Sequence, residues 1–232
     1  MPRVVIVDGV IGAGKSVLLS ALAEGLRACG KRVVTIQEPV DEWGFILPSF
    51  YQSPARYAYS FQTLIYATRV ARILDAWEHG GAGDADVVLL ERSPATDRIF
   101  MELQRSVVDP LEMKCYDVWC DTYQRVLPFR MRDATVLYVS PSMDACMHRV
   151  NARSRDGETS GGVTREYQLK LARVHEAFLL NLHRDEFPSL ASPFSPQNVH
   201  VLAQDMADKN FRDEGEERRL VVQHIIDLLL LR

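Results

Sequence analysis

Cysteine is scarce in this chain of 232 residues, with four in all at 29, 115, 120 and 146. They show no CxxC spacing and have no paired histidines, which argues against a zinc site and against a disulfide framework. That usage suits a reducing compartment. No apolar run is long enough to span a bilayer, so no membrane partner is expected. Net charge is -4, so there is no global basic field to draw in nucleic acid. The six histidines, 79, 148, 175, 183, 200 and 224, form no metal-ligand or catalytic spacing, and His148 and His175 on helices read as solvated or satisfied. Internal repeats and low-complexity tracts are missing as well. The first strand pattern begins near Arg3, leaving no room for a signal or transit peptide, and the expected location is cytoplasmic.

What is present is apolar residue in quantity, 47% of the chain, enough for one substantial core. No linker divides it, so residues 1–232 are expected to form a single domain. Strand patterns occur at 4–8, 32–36, 86–90, 135–139 and 199–202. Helical patterns occur at 15–28, 55–78, 94–106, 111–125, 143–153, 165–184 and 216–231. Strands alternating with helices predict an α/β fold with a parallel sheet covered on both faces. The apolar stripe of the last helix is expected to pack on the sheet. Residues 44–54 and 154–162 read as loops, the second placed like a lid.

The most specific stretch runs from Val4 to Ser16. A β-branched strand leads into Gly9-x-x-x-x-Gly14-Lys15-Ser16, the phosphate-binding P-loop pattern. Gly9, Gly12 and Gly14, with Ala13 and Val17 in the same turn, let backbone N–H groups approach phosphate oxygens. The following helix directs its positive dipole end at the same anion. Lys15 adds a cation for the outer phosphates, and the Ser16 hydroxyl suits Mg²⁺.

Ligands of parallel sheets lie beyond the carboxyl ends of the strands, which selects two further groups. Glu38, before Pro39, suits a general base, although a surface Glu in a turn reads equally well. Glu91 and Arg92 end the strand at 86–90. An acid there orients Mg²⁺, and an arginine beside it neutralises a phosphoryl group in transit. Arg149, Arg153 and Arg155 suit a phosphate clamp, but by spacing alone they read as a solvated basic face with Asp144 and Asp156. Gln62 and Arg69 lie two turns apart on one helix face, about 10 Å from each other. The Gln62 amide suits a base edge and Phe61 or Trp43 a stacking wall, although an ordinary amphipathic helix has the same spacing.

Taken in order, the P-loop, Glu38-Pro39-Val40 with Trp43, Tyr51 with Pro54, Phe61-Gln62, Glu91-Arg92-Ser93 and Arg149-x-x-x-Arg153-x-Arg155 resemble the deoxyribonucleoside kinase family over roughly residues 3 to 210. The resemblance implies a P-loop kinase fold: a five-stranded parallel sheet flanked by helices, an arginine-rich lid at about 153–163, and a homodimer. It implies transfer of the γ-phosphoryl of ATP to a 5′-hydroxyl. Glu38 is then the base, Arg92 the residue holding it, and Ser16 and Glu91 the Mg²⁺ ligands. Gln62 reads the base between Trp43 and Phe61, and Tyr51 and Glu158 hold the 3′-hydroxyl. Asp205 follows the strand near the donor adenine. Arg69 and Asp97 match the pair of the deoxycytidine and deoxyguanosine kinases, implying preference for deoxycytidine or purine deoxynucleosides over thymidine. The chain departs from the family at Pro94-Ala95-Thr96, at Met101 where an aromatic is usual, and by two extra lid residues near 160–162. A nucleoside monophosphate kinase or an inactive nucleotide-binding protein on the same scaffold are the competing expectations.

Overall fold

The structure, a computed structural model, describes residues 1–153, 162–213 and 215–230. Arg155 and Glu158 therefore lie outside the described residues, as does most of the expected lid loop. Five parallel strands form one sheet in the order β2-β3-β1-β4-β5. They are β1 (Arg3–Asp8), β2 (Val33–Ile36), β3 (Val87–Glu91), β4 (Thr135–Val139) and β5 (Val199–Leu202). β1 pairs with β3 from Arg3↔Val87 to Val7↔Glu91, and with β4 from Val5↔Thr135 to Asp8↔Tyr138. These three central strands are apolar along nearly their whole length because helices cover both faces. The chain runs from β1 to β2 on one side of β1 and from β3 across to β4 on the other, so the order reverses beside β1 and opens a crevice at the carboxyl ends.

Two helices carry much of the site, and a third backs one of them. α1 (Lys15–Ala28) starts at the P-loop and buries Leu18, Leu19, Leu22 and Leu26 as their spacing predicts. Burying one such leucine contributes about 1.5–3 kcal/mol. α1 packs closely on the last helix, α9 (Glu216–Leu230), at Gly25. A Cβ at Gly25 would lie 2.7 Å from Ile226 Cδ1 and 2.8 Å from Val222 Cγ1. Val222 and Ile226 of the α9 apolar stripe thus pack on α1. α3 (Pro54–Glu78) starts with Pro at its first turn and buries Phe61, Gln62, Ile65, Tyr66 and Arg69 on one face.

The remaining helices are α2 (Leu47–Gln52), α4 (Asp97–Leu103), α5 (Pro110–Tyr123), α6 (Met143–Arg153), α7 (Arg165–Leu180) and α8 (Gln204–Ala207). α2 occupies much of the expected loop, and a 3₁₀ turn at Val40–Trp43 precedes it. Both are too short to show a helical period in sequence. α4 is shorter than the pattern over 94–106, because Ser93 and Thr96 bond each other through backbone and hydroxyl and form a turn before it. α7 stops at Leu180 because Asn181, at φ 59, takes the left-handed capping conformation.

Candidate active site

The P-loop is shaped by its glycines. Gly9, at φ +153, would place a Cβ 2.3 Å from Val139 O, and Gly12, at φ +79, would place one 2.5 Å from Cys146 O. Both neighbours are backbone and cannot swing aside. Gly9→Ala is therefore expected to displace the loop, lowering nucleotide affinity at least tenfold and stability by about 1–3 kcal/mol. Titration with ADP and a thermal melt measure the two effects. Gly14 at φ 91 leads into α1, whose first-turn N–H groups have no partner within the helix.

Lys15 Nζ donates to Gly9 O at 3.3 Å and Val10 O at 3.0 Å. Burial, reinforced by Arg92, lowers its pKa to about 8, against the opposing pull of Glu38, Glu91 and Asp8. In the unfolded chain Lys15 keeps its proton up to its ordinary range. The nucleotide-free protein thus loses stability to Lys15 below about pH 8 and regains it as pH rises through that value. Nucleotide binding should have the opposite dependence. A bound phosphate favours the ammonium, so affinity falls above about pH 8 and binding takes up a proton there. Calorimetry in two buffers of different ionisation enthalpy measures that uptake.

Behind and beside the loop lies a buried lattice of acids and arginines. Ser16 Oγ donates to Glu91 Oε1 at 2.7 Å, so the two oxygens expected at Mg²⁺ do meet. No cluster of three or more His, Cys, Asp or Glu suited to a metal occurs among the described residues. Hydroxyl and carboxylate are nonetheless the hard oxygen donors that fit Mg²⁺ with several waters. Arg92 has a left-handed backbone, φ 62, and its N–H donates to Val7 O at 3.0 Å. Such a conformation costs about 1–3 kcal/mol and persists only where its surroundings fix it. Arg92 Nε lies 3.1 Å from Glu38 Oε1, and its Nη1 donates to Asp8 Oδ1 at 2.9 Å. Arg69 Nη2 donates to the same Glu38 oxygen at 2.9 Å. Its Nε and Nη2 hold Asp97 at 2.8 and 3.0 Å, and Nη1 reaches Glu91 O at 2.9 Å. Burial pushes the Glu38 carboxyl up, but Arg92, Arg69 and Lys15 outweigh it and hold the group below its ordinary range. Glu38 is thus ionised at neutral pH.

These groups open on a cleft of about 750 Å³. Gly12, Gly14, Lys15, Ser16, Val17, Glu38, Glu91, Arg92, Arg149 and Arg153 line it, and so do Trp43, Tyr51, Phe61, Gln62, Arg69 and Asp97. Gly9, Ala13 and Asp205 do not. Gly9 and Ala13 are buried loop residues whose atoms do not face the cleft, and Asp205 is exposed on α8. The segment 208–212 reaches the cleft in place of Asp205. Arg149 is engaged with backbone: it donates to Ala13 O and to the carbonyls of Ala207, Asp208 and Lys209 at 3.1–3.2 Å. It ties the P-loop to that segment.

Sequence reasoning missed two aromatic walls. Phe50 on α2 packs on Phe61 with centroids 4.7 Å apart, and Phe61 meets Trp43 edge-on at 6.5 Å. Phe100 on α4 lines the cleft beneath Arg92, whose guanidinium carbon is 4.7 Å from the ring centre. Met101 is buried away from the cleft. Phe100 stands one helical turn from Asp97, a spacing that offered a signal. Gln62 is buried, and its Oε1 has no hydrogen-bond partner among the described residues. The cysteines are all free thiols, and no described helix is long and apolar enough to cross a membrane.

Fold and site together define a P-loop phosphotransferase with an acidic residue and paired arginines facing the phosphate-binding loop. A profile of the deoxynucleoside kinase family matches residues 5–230, and the chain belongs to that family. It is similar to deoxycytidine kinase of Homo sapiens, 28% identical over 90% of this chain and 85% of the relative. Deoxyadenosine kinase of Lactobacillus acidophilus is 28% identical over 78% of this chain and 81% of its own length. Thymidine kinase of Ictalurid herpesvirus 1 is 29% identical over 75% and 72%, respectively.

Proposed function

We infer that this enzyme transfers the γ-phosphoryl of ATP to the 5′-hydroxyl of a deoxyribonucleoside, with deoxycytidine and purine deoxynucleosides preferred over thymidine. One observation carries the reading. The Glu38 carboxylate, fixed between Arg92 at 3.1 Å and Arg69 at 2.9 Å, faces the cleft that Lys15 and Ser16 also line. Glu38 accepts the hydroxyl proton as the oxygen attacks the phosphorus and the bond to the ADP leaving group breaks. Lys15, Arg92 and Arg153 face the phosphates, and Arg149 and Arg155 are assigned the same task by family resemblance. Ser16 and Glu91 would hold Mg²⁺, which supplies charge neutralisation to the triphosphate.

The acceptor half is built by α3 and its neighbours. Gln62 offers its amide to a base edge between Phe61, Phe50 and Trp43, and Tyr51 with Glu158 takes the 3′-hydroxyl. The Arg69–Asp97 pair narrows the pocket beside the base, which supports the preference against thymidine. The names of the human and Lactobacillus relatives agree with this order, and that of the viral thymidine kinase makes it testable. A competition among deoxycytidine, deoxyadenosine, deoxyguanosine and thymidine at equal concentration, with Mg²⁺ and ATP, is expected to yield thymidine monophosphate last. Thymidine monophosphate as the main product would sink the preference. Phosphorylation of monophosphates and no nucleosides would replace the nucleoside reading altogether.

The same reading makes the chain one cytoplasmic salvage domain working as a homodimer. Leu111 and Val118, seven residues apart on α5, are 73% and 59% exposed and suit a subunit contact. A monomeric mass by light scattering would remove the dimer.

A further inference from the structure

Two buried groups have no part in the transfer as described, Asp8 and His175. Neither lines the cleft, and each is 0% exposed. Both converge on Arg92. Asp8 Oδ1 accepts from Arg92 Nη1 at 2.9 Å and from the Gly9 N–H at 2.7 Å. His175 Nε2 lies 3.3 Å from that oxygen and 3.4 Å from Arg92 Nη1. The other ring nitrogen, Nδ1, is 2.8 Å from Leu171 O. A carbonyl only accepts, so Nδ1 carries hydrogen and Nε2 is the atom turned to the Asp8–Arg92 pair. The ring is clamped by Tyr138, stacked at 5.8 Å, and by Phe100, edge-on at 6.2 Å. Phe100 also lies under the guanidinium.

We propose that Asp8 and His175 are positioning residues for phosphoryl transfer, fixing the Arg92 guanidinium so that its Nε meets the Glu38 carboxylate. A buried carboxylate beside an arginine is a costly way to fill space, since apolar residues of similar volume often do as well or better. Its chemical gain is direction. Arginine has a long, flexible stem, and its planar fork points usefully only when several of its donors are held at once. Asp8 and His175 hold the far end of the fork, Phe100 its face, and the left-handed backbone its root. The same Asp8 oxygen holds Gly9, so the aim of Arg92 is set relative to the P-loop. Substrate is not touched, and both residues act through Arg92. The proposal rests on the roles given above to Glu38 and Arg92.

The test is a double-mutant cycle read as kcat and KM under single-turnover and steady-state conditions. His175→Leu should lower kcat about 10- to 100-fold, the size of a misplacement of order 1 Å. The donor KM should stay within about twofold, because aiming Arg92 at Glu38 counts in the transition state, whereas the P-loop carries ground-state binding of the donor. His175→Gln, which returns a polar atom near Nε2, should recover part of the loss. In an Arg92→Ala background, His175→Leu should change the residual rate by less than about twofold, since the residue it acts through is gone. Equal fractional losses in both backgrounds, or an unchanged kcat in the single variant, would overturn the proposal. If His175→Leu fails to fold by circular dichroism, Asp8→Asn carries the same cycle with no change of volume. Glu38→Gln separates the two levels. Near-normal turnover there removes the reading of Glu38 itself, whereas an inactive Glu38→Gln beside a fully active His175→Leu removes only the positioning role.

Discussion

Replacing Glu38 by Gln should lower turnover by about 10²- to 10⁴-fold, the range a positioned base contributes, while fold and donor binding persist. The substitution keeps the shape. The amide oxygen still accepts from Arg92 Nε and Arg69 Nη2, now 3.1 and 2.9 Å from Glu38 Oε1, so the lattice behind it has no reason to open. What disappears is the basic lone pair that the proposed mechanism assigns to the hydroxyl proton. Burial opposes ionisation of Glu38, but Arg92, Arg69 and Lys15 prevail and hold its pKa below the ordinary carboxylate range. A lowered folded pKa leaves the base ready at neutral pH. The acidic limb that Glu38 contributes to the wild-type kcat/KM profile should therefore lie below that range, and it should vanish in the variant. Single-turnover rates, ADP titration and circular dichroism together decide the matter. A variant that folds, binds ADP and turns over near the wild-type rate ends the base assignment.

Asp97→Ala should have the largest effect on stability. Asp97 is 1% exposed and receives Arg69 Nε and Nη2 at 2.8 and 3.0 Å. Removing one partner of a buried ion pair leaves the other charge under-compensated, typically at about 3–5 kcal/mol. In a chain of this size that lowers the melting temperature by roughly 6–20 °C. Arginine is not deprotonated in proteins, so the Arg69 guanidinium stays charged after the substitution even though burial lowers its pKa and Asp97, which raises it in the wild type, is gone. Its remaining acceptors are the Glu91 carbonyl at 2.9 Å and Glu38 at 2.9 Å. Arg69 should shift toward Glu38, weakening the proposed base, and the space freed in the cleft that Asp97 and Gln62 both line should admit the 5-methyl group of thymidine. The expected variant is less stable, slower on deoxycytidine and relatively better on thymidine. Thermal melts and the four-nucleoside competition measure these effects. An unchanged melting temperature would show that the pair is not the buried constraint its geometry describes.

Much of this site was legible in the chain because its signals are local. The P-loop is eight contiguous residues whose spacing is itself the chemistry. Glu38 and Glu91-Arg92 stand directly after strand patterns, and the parallel-sheet rule places strand ends at the ligand. Gln62 and Arg69 share a face because 3.6 residues make a turn. Phe50 was not legible, since α2 is too short to show a period. Met101 drew notice as a departure, yet Phe100 beside it faces the cleft, because the Ser93–Thr96 turn sets where α4 begins and so which side chain turns inward. Asp205 stood for a segment that in fact reaches the cleft three to seven residues later, past α8.

By itself the sequence determined the triphosphate loop, the alternation of strands and helices, and the identity of the acids and arginines at the strand ends. Those follow from contiguous patterns and short periods. Tertiary structure alone decided which charge meets which. Arg92 and Asp8 are 84 residues apart in the chain, and Arg92 and His175 are 83 apart, yet they meet behind the P-loop. It also decided that Arg149 binds four backbone carbonyls and that His175, which read as a solvated or satisfied histidine, lies under the site. The reason is physical. A buried charge is defined by its partners, and partners come from strand order and helix packing, which no local pattern encodes.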